Sequence, residues 1–193
     1  LSTLPVRLDY RSRWLESSED EALVERSHSD SLILVSSGTL GSVGVDLEGR
    51  FALEEDSNRD VDQMSGGGRL TVVMPLFPVL SLQGEIEPNY VKEDYPITGN
   101  RLTSTNLAGS LGLLFPFRDE VEARLLAGIR SSQERESGPD ALEPDTRDLA
   151  LSGEVGLEVS DLGGFSASPA YTIEKTLEGV LTHDVSANAG WQG

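Results

Sequence analysis

Hydrophobic and polar residues alternate along most of this chain, and almost no segment has the spacing of an amphipathic helix. Because successive side chains of a strand point to opposite faces, a period of two predicts β-strands. The apolar positions of the first such segment are Leu4, Val6, Leu8, Tyr10 and Trp14. Basic and acidic residues occupy the positions between them, so one face of this strand is apolar and the other is charged.

The alternation and the turn residues between the segments predict ten strands. They cover residues 4–15, 29–36, 40–54, 67–76, 79–91, 102–115, 120–131, 147–160, 164–174 and 179–191. The second departs from the pattern, because the apolar residues 32–35 are consecutive. Strands over the whole length predict an all-β protein with a single domain, residues 1–193.

Long and short connections alternate between the predicted strands. The long ones are 16–28, 55–66, 92–101 and 132–146, and the short ones are 37–39, 77–78, 116–119 and 161–163. Acidic residues collect on the long-loop side: segments 16–30, 54–65 and 131–148 hold 17 acids and 4 arginines, which is −13 of the net charge of −18. One rim of the predicted sheet is therefore strongly acidic.

Aromatic residues fall near the ends of the predicted strands. Those on the short-turn side are Phe77, Phe115, Phe117, Phe165 and Trp191. Those towards the long loops are Tyr10, Trp14, Phe51, Tyr90 and Tyr171. Two aromatic rows at this separation are typical of the two interfaces of a membrane.

Strand length, the alternating connections and the two aromatic rows together resemble the bacterial outer-membrane β-barrel class. The resemblance implies an antiparallel up-and-down transmembrane β-barrel of about ten strands in the outer membrane of a bacterial cell, with outer-membrane lipid as its partner. Both chain ends would lie on the periplasmic side, and the acidic loops would be extracellular. Leu1 does not begin a signal peptide, so the sequence is interpreted as a mature form. The end departs from the class, because Gln192 and Gly193 follow the last aromatic residue.

A soluble β-barrel that binds a ligand also fits the alternation, with its apolar face inward. The predicted strands favour a membrane location, because most of them reach the ~9–11 residues that span a bilayer. The many Ser, Gly and Ala residues on the polar face suit a confined interior. Pro75, Pro88 and Pro169 argue the other way, because a proline inside a strand removes a hydrogen-bond donor.

In a membrane barrel the polar face would line the lumen. The charged residues predicted there are Arg7, Asp9, Arg11, Arg13, Asp46, Glu48, Arg50, Arg69, Glu85, Glu87, Glu122, Arg124, Glu154 and Glu158. The first hypothesis is a narrow, porin-like channel for the transport of small solutes, in which charged rings select the solute. The second is a structural or surface-interaction barrel whose lumen is closed by salt bridges.

Other functions have weaker support in the sequence. An outer-membrane enzyme is a third hypothesis, although His183 and Ser186 would point to opposite faces of a strand and form no triad. We predict no catalytic residue and no cofactor. Acidic loops such as 56–62 could bind divalent cations, but the metal itself is not predicted. A net charge of −18 and a pI near 4.3 argue against nucleic acid, and the oligomeric state is left open.

Overall fold

The computed structural model describes residues 4–18, 24–56, 61–118, 120–139, 141, 145–162 and 165–191. Ten strands form one antiparallel sheet in chain order, each strand beside its sequence neighbours. They are β1 (Val6–Ser18), β2 (Val24–Leu40), β3 (Val43–Asp56), β4 (Val61–Phe77), β5 (Leu80–Tyr95), β6 (Asn100–Arg118), β7 (Val121–Ser137), β8 (Thr146–Leu162), β9 (Phe165–Thr176) and β10 (Leu181–Trp191). The predicted all-β, up-and-down architecture is confirmed.

No helix with the length and apolarity needed to cross a membrane occurs in the described part of the chain.

The largest error in the predicted strands concerns β2, which was expected over 29–36 and extends over Val24–Leu40. Its polar ends pair with β1 and β3 along their whole length, so cross-strand hydrogen bonding overrides the weak local pattern. Ser37 and Gly38 belong to this ladder, opposite Asp46 and Val45. The turn lies instead at residues 41–42, where Gly41 adopts a φ of 68° that favours glycine.

Most of the predicted long loops are extensions of the strands. β5 continues to Tyr95 and β6 begins at Asn100, so the segment predicted as loop 92–101 is reduced to residues 96–99. The asymmetry between the two sides persists, because two residues separate the strands at 41–42, 78–79, 119–120 and 163–164. On the opposite side the strands are separated by segments 19–23, 57–60, 96–99, 138–145 and 177–180.

The pairing register divides the side chains into two faces, because directly paired residues lie on the same side of a sheet. One row on the apolar face joins Met74, Leu82, Leu113, Leu125, Val155, Tyr171 and Val185 from β4 to β10. One row on the polar face joins Asp46, Thr71, Glu85, Ser110, Gly128, Ser152, Glu174 and Thr182 from β3 to β10.

No element of the described part of the chain packs on the apolar face. Leu125, Val155 and Val185 are 50%, 58% and 77% exposed. The buried apolar residues among those described are Leu114, Ala150 and Ala170, and all three lie on the polar face by their register. An apolar face of this size requires a covering that is itself apolar.

The sheet does not close on itself in the described part of the chain, where β1 pairs only with β2 and β10 only with β9. The strand number and order therefore follow the predicted barrel, whereas the closure expected for it is not seen.

Glycines on the polar face allow neighbouring strands to approach closely, and this can be tested at Gly112. A Cβ at Gly112 would lie 2.2 Å from the Leu125 carbonyl oxygen, whereas one at Gly109 on the same strand has its nearest neighbour at 3.6 Å. Gly112→Ala is expected to destabilise the sheet by about 1–3 kcal/mol through overpacking, and Gly109→Ala by much less. Urea titrations in detergent compare the two, and equal unfolding midpoints would contradict this arrangement of β6 and β7.

Candidate functional site

The polar face carries all the charged residues that were predicted for an interior. The register from β1 to β9 places Arg7, Asp9, Arg11, Arg13, Asp46, Glu48, Arg50, Arg69, Glu85, Glu87, Glu122, Arg124, Glu154 and Glu158 on this one side. That this side lines a lumen stays a prediction. The structure shows the common face on which that prediction depends.

Ion pairs connect many of these residues within a strand or to the next strand. Arg7 Nε lies 2.9 Å from Asp9 Oδ2, and Arg50 Nε lies 2.5 Å from Glu48 Oε1. Arg69 lies 3.4 Å from a carboxylate oxygen of both Glu85 and Glu87 on β5. The arginines of β3 and β4 are thus already neutralised by neighbouring carboxylates.

Arg124 lies flat across β8. Its Nε is 2.7 Å from Glu154 Oε1, and a Cβ at Gly156 would be only 2.8 Å from the same Nε. Both atoms of this contact are buried, yet the N–H does not point at the oxygen, so the contact is an ion pair without a directed hydrogen bond. Gly156 is therefore the residue that leaves room for the arginine.

The ion pair between Arg130 and Glu174 joins strands that are not neighbours. Arg130 Nη2 on β7 donates to Glu174 Oε1 on β9 at 2.6 Å, above the intervening strand β8. Two strands lie less than ~10 Å apart across one intervening strand, and these two long side chains together reach across it. The predicted set omitted both residues, although Arg130 follows Arg124 at even spacing on the same strand and could have been found by extending the alternation.

Two cavities join into one groove on the polar face, which is concave. A cavity of about 430 Å³ extends from β2 to β5, and a second of about 450 Å³ extends from β5 to β9. Glu87 and Asn89 line both. Gly67 makes room for Asn89, whose Oδ1 would lie 2.2 Å from a Cβ at that position.

A different cluster occupies the long-loop end of β5 and β6, beyond the apolar rows. Lys92 and Arg101 both donate hydrogen bonds to Asp94, which holds the pKa of that carboxyl below its ordinary value. Lys92 and Asp94 follow Tyr90 on the side of the sheet that is apolar nearer the short turns. The strands thus continue from an apolar zone into a charged zone.

Both histidines contact aromatic rings on the apolar side of the sheet. His28 stacks on Trp14 with ring centroids 3.8 Å apart, and Tyr171 Oη lies 2.6 Å from His183 Nδ1. Ser12 and Asp30 each approach the same nitrogen of His28, Nε2, at 3.4 Å. A catalytic relay needs its two partners on different ring nitrogens, so this cluster does not have that geometry.

The predicted interface aromatics lie mainly on the apolar face. The register places Tyr10, Trp14, Phe51, Tyr90, Phe115, Phe165, Tyr171 and Trp191 there. Phe77 and Phe117 lie at the β-bulges near the short turns. Phe165 and Trp191 are directly paired, which sets them at one height on the short-turn side. Contact of these rings with lipid stays a prediction.

The acidic loop expected to bind divalent cations falls largely on residues 57–60, which lie outside the described residues. Within the described part of the chain, no three His, Cys, Asp or Glu residues are grouped as metal ligands.

The chain is similar in fold to solved outer-membrane transport proteins. The siderophore receptor PirA from Pseudomonas aeruginosa superposes with a TM-score of 0.58 at 14% identity, over 100% of this chain and 36% of the receptor. The copper transporter OprC superposes with a TM-score of 0.60 at 10% identity, over 95% of this chain and 37% of the transporter. BauA, the ferric preacinetobactin receptor from Acinetobacter baumannii, superposes with a TM-score of 0.55 at 9% identity, over 95% of this chain and 39% of the receptor.

These similarities assign the chain to the fold class of bacterial outer-membrane β-barrel proteins. The chain spans little more than a third of the length of these structures, with shares of 36%, 37% and 39%. No protein-family model and no curated protein matches it.

The Asp94 cluster predicts a stability difference that depends on pH. Because the folded-state pKa of Asp94 is lowered, its contribution is complete above the ordinary value of about 4 and is lost as the pH falls through the folded-state pKa. Asp94→Asn is expected to cost at most about 1 kcal/mol at pH 7, and nothing at a pH below the folded-state pKa. Urea unfolding of both proteins in detergent from pH 7 downwards measures the difference. Arg101→Gln should give a smaller loss, and a difference that persists unchanged in acid would refute the assignment.

Proposed function

We propose that this chain forms the wall of an outer-membrane barrel that transports small solutes. Its apolar face is directed towards lipid and its concave polar face towards the lumen. The single observation that carries the proposal is the separation of the two faces. An unbroken apolar row crosses seven strands on one side, and a charged groove crosses the other. The solved proteins of this fold include a copper transporter, a siderophore receptor and a ferric preacinetobactin receptor, which supports a transport role.

Lipid is the covering that fits the apolar face. A soluble barrel would turn this face inward and pack it, but the face is convex and its large side chains are open. The strands of 11 to 19 residues also reach or exceed the ~9–11 residues needed to cross a bilayer. The additional length accounts for charged ends such as Lys92 and Asp94.

A structural barrel with a closed lumen is the second candidate, and the ion pairs favour it. Arg50, Arg69, Arg124 and Arg130 all have carboxylate partners on the concave face. Paired charges of this kind can fix long side chains across a narrow lumen and block it. Conductance separates the two candidates.

Two adjacent leucines provide a matched test of which face meets lipid. Leu125 is at the centre of the apolar zone of β7, and Leu126 points to the concave face opposite Glu154. Leu125→Arg is expected to lose about 2–4 kcal/mol of folding stability in lipid, as for arginine at the bilayer midplane. Leu126→Arg should be tolerated better, because its side chain points to the polar face, where Glu154 and other charged residues lie. The fraction folded into lipid vesicles, read from gel mobility without heating, measures both variants. The opposite ranking would mean that the apolar face points inward.

Planar bilayers test the transport role itself. A transport barrel should give discrete conductance steps in KCl after reconstitution of protein that shows heat-modifiable mobility. A closed structural barrel should fold into the same bilayers and give no steps. Boiled protein is the control for leakage, and correctly folded protein without conductance would favour the second candidate.

A further inference from the structure

We propose that the groove on the concave face is a binding site for small organic cations that carry amino groups. This inference rests on the proposed function, because it assigns a substrate class to the same face. It is argued from the shape of the groove, the polar groups that line it and the state of the charges around it.

The shape fits a short flexible solute better than a single ion. The two cavities of about 430 and 450 Å³ meet at Glu87 and Asn89, and a third of about 180 Å³ adjoins them at Glu87 and Arg130. Ala108 and Ala150 lie along its floor, together with the glycines of segment 66–68. Small residues on the floor leave the volume open, and the groove runs across several strands.

The lining offers hydrogen-bond acceptors together with negative charge. Asn89 and Asn106 are directly paired across β5 and β6, and the carbonyl oxygen of each amide can accept a hydrogen bond from an ammonium group. Ser132 and Thr176 add hydroxyl groups in the same cavity. Groups of this kind orient a polar solute, while charges determine which sign is retained.

The charges favour cations, because the three arginines that line the groove are paired with carboxylates, whereas one carboxylate of the groove is not paired. Arg50, Arg69 and Arg130 line the three cavities, and each lies within 3.4 Å of a carboxylate oxygen. Asp148, which lines the same cavity as Arg130, has no ion-pair partner among the described residues. An anion entering the groove would have to displace an existing ion pair, whereas a cation would meet an unpaired carboxylate.

The test uses spermine as the cationic probe and citrate as an anion of small size. Isothermal titration is carried out on the folded protein in detergent, so binding is measured independently of conductance. We expect spermine to bind, to weaken as KCl rises, and to lose roughly tenfold or more in affinity in Glu87→Gln/Asp148→Asn, since hydrogen bonds to charged groups are the strong ones. Citrate should not bind.

The matched control removes two charges from the same face but outside the groove. Glu134→Gln/Glu136→Gln changes the net charge equally, and neither residue lines the cavities at Glu87. Equal losses in both double variants would show a general charge effect and overturn the proposal, as would citrate binding or the absence of spermine binding. Spermine binding without conductance would support the groove as a binding site and reject the transport role. Conductance without spermine binding would support the transport role and reject the groove as a binding site.

Discussion

The hydrogen-bond register of the sheet is the constraint on which the rest of this structure depends. Because side chains alternate with a period of two, a slip of one residue between any two strands would move arginines to the apolar face and leucines to the polar one. The register holds the apolar row in line from Met74 to Val185 through seven strands. Among the described residues no packed core enforces it, so the ladder itself and the match of each face to its surroundings must do so.

Small residues determine how closely the strands and side chains of the concave face approach. Gly67 and Gly156 each leave the space into which a long polar side chain from the next strand lies. Asn89 and Arg124 can therefore lie along the sheet and do not project away from it. This explains how a face with many charges keeps a continuous groove, and why glycine is frequent in strands whose propensity for it is low.

The number and order of the strands, and the side of the sheet on which each side chain lies, could be predicted from the sequence. They depend on local alternation, as in the segment around Leu125. Strand length could not, because Lys92 and Asp94 look like loop residues until their pairing with β6 is known. The Arg130–Glu174 contact depends on the pairing of β7, β8 and β9, which no local pattern records. The stacking of His28 on Trp14 likewise depends on the register of β1 with β2, and the polar sequence around His28 suggested a loop.

The strands follow the order of a barrel, and yet the described sheet remains open between β1 and β10. In lipid, unpaired backbone groups along an edge strand are costly, so a membrane location requires that both edges find partners. The cavities of about 430 and 450 Å³ on the polar face show that the paired arginines of β3 to β9 do not fill it. The groove is the consequence, because ion pairs that lie flat against the sheet neutralise the face without closing it.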